Sequence, residues 1–249
     1  MITFNTLGGI FMKYYSALFL TLTMIFLSGC QLSNESPSAQ PKDEQKELKP
    51  ADMDDEDLPD MGAFQDEFTR GFLQSTEETR TGYYPFLSGT GAYKMDFPAE
   101  GDIVEEFYNI KDKSFEAIMI SDGNEKANIN HIITIEYYDH LTEVHKDSRI
   151  GQLLSQIGED AQLTEVEKNH QTFYIAPFKS KEEASNLDIY GYGTFVLNND
   201  GQGGVEIILT SYCENNCAEL KESDDQKMYD WIMSLEFTKS SMERDQSEK

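Results

Sequence analysis

Apolar residues are set along this chain in two rhythms. One is short dense runs of Ile, Val, Phe and Tyr between turn formers; the other is recurrence at three- and four-residue steps. The first rhythm predicts strands. Ala92 to Phe97 is a short one that stops at Pro98. Phe115 to Ser121 and Ile129 to Tyr138 form a pair with Asp122-Gly123-Asn124 as turn material between them, and Leu163 to Val166 and Thr172 to Phe178 form a second pair. Ile189 to Leu197 and Val205 to Tyr212 are joined by the Asn- and Gly-rich stretch 198–204, the composition of a hairpin connection.

The second rhythm predicts helices. Leu58, Met61, Phe64, Phe68 and Phe72 lie on one face of a helix over Leu58 to Gln74, with Asp57 and Pro59 as start signals, although Gly62 and Gly71 weaken it. Asp147 or Ser148 opens a helix whose face is Ile150, Leu153, Leu154 and Ile157, and Gly158 stands where a terminating glycine belongs. Ser180 to Ser185 suits one or two helical turns. Ser223-Asp224-Asp225-Gln226 fits a capping box, and the helix it starts buries Met228, Ile232 and Leu235. Strands joined by hairpins, with helices in the middle and at the end, predict an α+β fold: a mostly antiparallel sheet with helices packed on it.

The first sixty residues follow neither rhythm. Lys13 precedes the apolar run Tyr14 to Leu27, too short for a stable membrane span, which ends in the small residues Ser28 and Gly29. Leu27-Ser28-Gly29-Cys30 resembles the lipobox of bacterial lipoproteins. The resemblance implies a signal peptide over 1–29, cleavage before Cys30, and a thioether-linked diacylglyceryl group on that cysteine, with palmitate-type acyl chains holding the protein to a membrane. Met1 to Phe11 stand ahead of the positive residue, so Met12 is the more natural start. Residues 30–60 are Ser, Pro, Gln, Glu, Asp and Lys with almost no large apolar side chain, which predicts a lipid-anchored, disordered acidic tether. The folded domain is expected over 61–238, followed by a polar tail, 239–249.

The domain also carries a resemblance. A strand ending in Asp96-Phe97-Pro98 after a turn-rich opening, and a last helix running into Trp231-Ile232-Met233-Ser234-Leu235-Glu236-Phe237, are similar to the Mog1/PsbP-like fold over about Gly82 to Phe237. That fold serves many binding and assembly roles and does not define one function.

Charge narrows the partners. The 249 residues hold 46 Asp and Glu against 20 Lys and Arg, for a formal net charge of -26, with no basic patch to offset the field. Nucleic acid is excluded as a partner, and cations or proteins with positive faces are favoured. Candidate chemistry is sparse. Outside the anchor the cysteines are Cys213 and Cys217, for which export suggests a disulfide; reduced thiols and a redox pair are the alternatives, and the spacing is not Cys-x-x-Cys. His140 and His145 lie beside Asp139 and Glu143, but no metal-binding motif is present, and His131 and His170 stand apart. Leu87-Ser88-Gly89-Thr90-Gly91 is not a nucleophile elbow, and no phosphate or dinucleotide loop occurs, so no metal or cofactor is expected. Tyr190 and Tyr192 share a strand face by alternation and are the candidate ligand-binding residues, against the alternative that they cover the sheet beneath a helix. The expectation is therefore an extracytoplasmic, membrane-anchored binding or assembly module of the cell envelope, non-enzymatic, with a protein partner or small ligand. The acidic, lysine-bearing tether favours a Gram-positive envelope, and in a two-membrane cell Gln31 behind the anchor would not act as an inner-membrane retention signal. The alternative is an envelope hydrolase or transferase whose active site is dispersed along the chain.

Overall fold

The computed structural model describes residues 48–124, 129–182, 187–213 and 222–238. Its centre is four long antiparallel strands: β5 (Phe115–Asn124), β6 (Ile129–Tyr138), β9 (Leu187–Asn198) and β10 (Gly204–Cys213). Shorter strands are β1 (Tyr83–Leu87), β2 (Tyr93–Pro98), β3 (Gly101–Ile103), β4 (Asn109–Lys111), β7 (Thr164–Lys168) and β11 (Glu236–Phe237), and β8 spans Gln171–Glu182. The larger sheet runs β3-β5-β6-β10-β9-β8-β7, with β4 beside β3 on the outer edge of β5; the smaller is β1-β2-β11. Every pairing is antiparallel, and the fold is α+β, as its strand and helix rhythms predict.

Alternation assigns the faces. On the inner face Ile118, Ile120, Ile133, Ile135, Ile207, Leu209, Val196 and Phe173 are buried against the small sheet and a terminal helix, α4 (Glu222–Ile232). On the outer face Tyr174, Ala176 and Phe195 bury against Leu153 and Ile157 of the helix α3 (Lys146–Ile157). β9 is thus covered on both sides. Gly193 makes the close approach of α3 possible, because a Cβ there would stand 2.7 Å from Ile157 Cδ1 and 3.0 Å from Leu153 Cδ1. Gly158 ends α3 at φ +123°, and its N–H donates to Leu154 O at 2.9 Å.

Four local expectations are corrected. The helix expected over Leu58 to Gln74 is two short ones, α1 (Gly62–Gln65) and α2 (Glu67–Arg70). Asp66 breaks it: its backbone is extended, and its Oδ1 accepts the Thr69 N–H at 2.7 Å, so it caps a new helix instead of continuing the old one. The phenylalanine stripe still faces inward. Phe64 packs edge-on to Tyr84 at 4.6 Å, while Phe68 and Phe72 each meet Tyr108 at 5.3 Å.

Second, the end of the expected tether is folded. Pro50–Asp52 and Asp55–Asp57 are 3-10 turns, Pro50 is buried, and Asp55 pairs with Arg70 at 2.7 Å. Third, Asp122-Gly123-Asn124 continue β5, since Asp122 pairs with His131 and Gly123 with Asn130. Fourth, Ser180 to Glu182 extend β8 as a strand paired with β9, in place of the helical turns expected there.

Candidate functional site

The inner face of the large sheet is largely apolar between a buried carboxylate at one end and its last described rows at the other. There the register sets Asp122 of β5, His131 of β6, Ser211 of β10, Tyr190 of β9 and Lys179 of β8 side by side across five strands. His131 Nδ1 and Ser211 Oγ are 2.7 Å apart. Asp122 is pushed above the ordinary carboxylate range by burial, more than His131 holds it down, with the charges of Glu100 and Asp102 adding to the rise. Lys179 Nζ lies 5.3 Å from the Tyr190 ring centroid, within reach of a cation–π contact.

α4 covers the Ser211 position of this row. Ser211 has no exposed surface, and its hydroxyl reaches Met228 Sδ of α4 at 3.2 Å. One row inward, Tyr192 is 6% exposed and donates its hydroxyl to Asp225 of α4 at 2.5 Å. Burial, first, and that hydrogen bond to a carboxylate, second, push the Tyr192 phenol up, so it remains a neutral donor. Tyr190 and Tyr192 do share a face, and α4 packs against the second of them.

Ser, His and Asp in this row have the composition of a nucleophilic triad. In this arrangement Ser211 is buried against Met228, and its hydroxyl ties the sheet to α4. Two polar contacts from neighbouring rows seat the helix: Ser211 to Met228, and Tyr192 to Asp225.

A second buried polar group organises the opposite end of the inner face. Glu116 of β5 has no exposed surface; its carboxylate accepts Gly89 N–H at 2.7 Å, Thr90 N–H at 3.2 Å, Thr90 Oγ1–H at 3.0 Å and Tyr108 O–H at 3.3 Å. Ser88, buried beside it, accepts the N–H groups of Ala92 and Tyr93 at 3.0 and 3.2 Å. The Ser88–Gly91 turn is therefore moored to the large sheet by a carboxylate.

The remaining sequence candidates lie apart from both places. The His145 ring accepts the Thr142 N–H at 3.2 Å through Nδ1 and caps a 3-10 turn (Glu143–His145), while His140 sits 3.6 Å from Asp139 and 6.0 Å, ring to ring, from His145. His170 lies 3.3 Å from Asp200. Among the described residues no group of three His, Cys, Asp or Glu is placed to hold a metal ion. Cys30 and Cys217 lie outside the described residues; Cys213 ends β10. The Asp122–His131–Ser211 row leaves no local sequence signal, because His131 and Ser211 are 80 residues apart and only strand register joins them.

A family model described as "Putative lipoprotein YvcA" matches residues 59–236. A curated protein of the same description from Bacillus subtilis strain 168 is 26% identical over 229 residues, covering 87% of this chain and 93% of that protein. A crystal structure of a protein from Bacteroides thetaiotaomicron matches with a TM-score of 0.36 and 16% identity, over 64% of this chain and 49% of the other, so the chain spans about half of that protein's length. Among the described residues no helix is long and apolar enough to cross a membrane.

Proposed function

This chain belongs to the YvcA lipoprotein family, and on that premise we propose that lipid on Cys30 holds it at the extracytoplasmic face of the cell membrane, where it acts as a non-enzymatic binding or assembly module. The observation that carries the non-enzymatic reading is the burial of Ser211. The serine best placed to act as a nucleophile is sealed beneath Met228 and spends its hydroxyl on holding a helix. The Leu27-Ser28-Gly29-Cys30 sequence supports the anchor, and the net charge of -26 supports partners with basic faces over nucleic acid or anionic lipid.

Photo-crosslinking of the full lipidated chain in cells, followed by mass spectrometry, tests the module. One envelope protein recovered at near-equal amounts is the expected result, and Cys30→Ala is expected to release the chain from membranes and abolish the crosslink. Retention of that variant on membranes refutes the anchor.

The alternative, a hydrolase or transferase with a dispersed site, is favoured by the alignment of Asp122, His131 and Ser211. It requires α4 to lift from the sheet. A fluorophosphonate probe separates the two: labelling that disappears in Ser211→Ala establishes an enzyme, and an unlabelled wild-type chain supports the binding reading.

A further inference from the structure

Among the described residues, helix cover on the outer face of the large sheet lies over one half of it. α3 lies over β8 and β9, while the outward residues of β5, β6 and β10 stay part-exposed: Ala117, Met119, Ile132, Thr134, Ile208 and Thr210. Register makes them one continuous strip, with Met119, Thr134 and Ile208 in one row and Ile132 beside Thr210 in the next. At the α3 end of the strip two carboxylates stand directly opposite each other, Glu136 on β6 and Glu206 on β10. Like charges in that relation destabilise a sheet unless something lies between them.

The charge of Arg149 only partly offsets that of Glu206. Among the described residues, neither Glu136 nor Glu206 takes part in an ion pair. The nearest cation, Arg149 of α3, is spread over the Tyr138 ring at 4.2 Å. Glu136 accepts the Tyr138 hydroxyl at 2.6 Å. Glu206 is 7% exposed; its Oε1 has only the Gln156 amide, at 3.4 Å, and its Oε2 is buried with no hydrogen-bond partner. A buried acceptor without a donor is costly and calls for one.

We propose, building on the binding-module reading above, that this strip docks an apolar segment of a partner protein that presents a lysine, whose ammonium is taken between Glu136 and Glu206. An ammonium has three donors on a compact head, enough to serve Glu206 Oε2 and Glu136 together, and its aliphatic stem suits the apolar strip. The Gln156 contact is the loosest hold on the site and the one the head displaces. A divalent cation fits worse: two carboxylates beside an arginine are too few oxygens, and no metal-holding group of three exists among the described residues. A free amine leaves the strip unused. The overall charge of -26 steers a basic partner toward this molecule.

The probe is an acetylated, amidated Leu-Lys-Leu peptide, titrated into the full chain in detergent and followed by methyl NMR. The methyl signals of Met119, Ile132 and Ile208 are expected to shift and saturate. Replacing the lysine by norleucine, or the protein's glutamate by Glu206→Gln, is expected to weaken binding by at least about tenfold, the loss of roughly one charge-assisted contact. Thermal melting checks that Glu206→Gln remains folded, and Glu136→Gln is a second variant expected to lose affinity in the same way. Equal binding of the lysine and norleucine peptides, unchanged affinity in both variants, or shifts confined to other methyls overturns the proposal, as does the absence of any shift up to the peptide's solubility limit. A cellular crosslink that persists undiminished in Glu206→Gln sinks this surface while leaving the binding-module reading intact.

Discussion

Removing the Glu116 carboxylate tests how the Ser88–Gly91 turn is held. In Glu116→Ala four donors lose their acceptor at once. They are not equal. Gly89 is exposed, so water replaces its acceptor, and the Thr90 hydroxyl can turn to Ser88 Oγ, 3.1 Å away. The Thr90 N–H, on a residue 3% exposed, has no such substitute. An orphaned buried donor costs about 1–3 kcal/mol, and each bond to a charged group that is lost with partial replacement costs about 1 kcal/mol. One orphan and three such bonds come to about 4–6 kcal/mol, and with the space left by the side chain added the expected loss is roughly 6 kcal/mol, a large part of the ~5–15 kcal/mol that stabilises a typical domain.

Glu116→Gln keeps the shape and one acceptor oxygen but turns an N–H₂ toward a donor, so about 2 kcal/mol is expected. Urea unfolding of both variants measures the totals, and amide exchange at Thr90 reports the turn itself. Two variants within ~0.5 kcal/mol of wild type, or a glutamine as costly as the alanine, refutes the mooring.

Two further outcomes follow from the outer face. The Glu206 carboxyl sits above its ordinary range, chiefly through burial and then through the charge of Glu136, with Arg149 and the Gln156 hydrogen bond opposing. The folded state therefore binds that proton more tightly than the unfolded chain, and this contribution to stability is lost as pH rises from the ordinary glutamate value through the raised one. Glu206→Gln is expected to melt higher than wild type at neutral pH and to flatten that decline; a lower neutral-pH melting temperature contradicts it. Gly193→Val places a branched side chain where Ile157 and Leu153 already sit, and about 1–3 kcal/mol of overpacking is expected in denaturant unfolding, with no loss if α3 can slide away.

Most of the large sheet was legible from local composition, because the runs around Ile133 and Ile207 contain little except strand formers. The stop of α3 at Gly158 was legible for a similar reason: one residue supplies the whole signal. The break at Asp66 was not, since the phenylalanine spacing fits one helix and two equally well, and only the aspartate's hydrogen bond decides. Glu116 was half legible. It shares parity with Ile118 and Ile120, which places it on the inner face, but nothing local says that a turn 26 residues earlier supplies its donors. The Asp122–His131–Ser211 row and the Glu136–Glu206 pair depend on which strands become neighbours. That is a long-range choice made by the whole core.

The edge strand β7 has a bearing on life in two dimensions. Its sequence is Thr164-Glu165-Val166-Glu167-Lys168, with both glutamates exposed, and it leaves one side of the large sheet without a further strand among the described residues. Molecules held at a membrane by lipid, as proposed for this chain, share a plane, meet far more often than free ones, and present such edges to one another repeatedly. An antiparallel approach of two β7 edges brings glutamates from both copies together, and the repulsion opposes fusion of the two sheets. Crowding on a membrane would then leave neighbours separate, with each large sheet ending at its own β7.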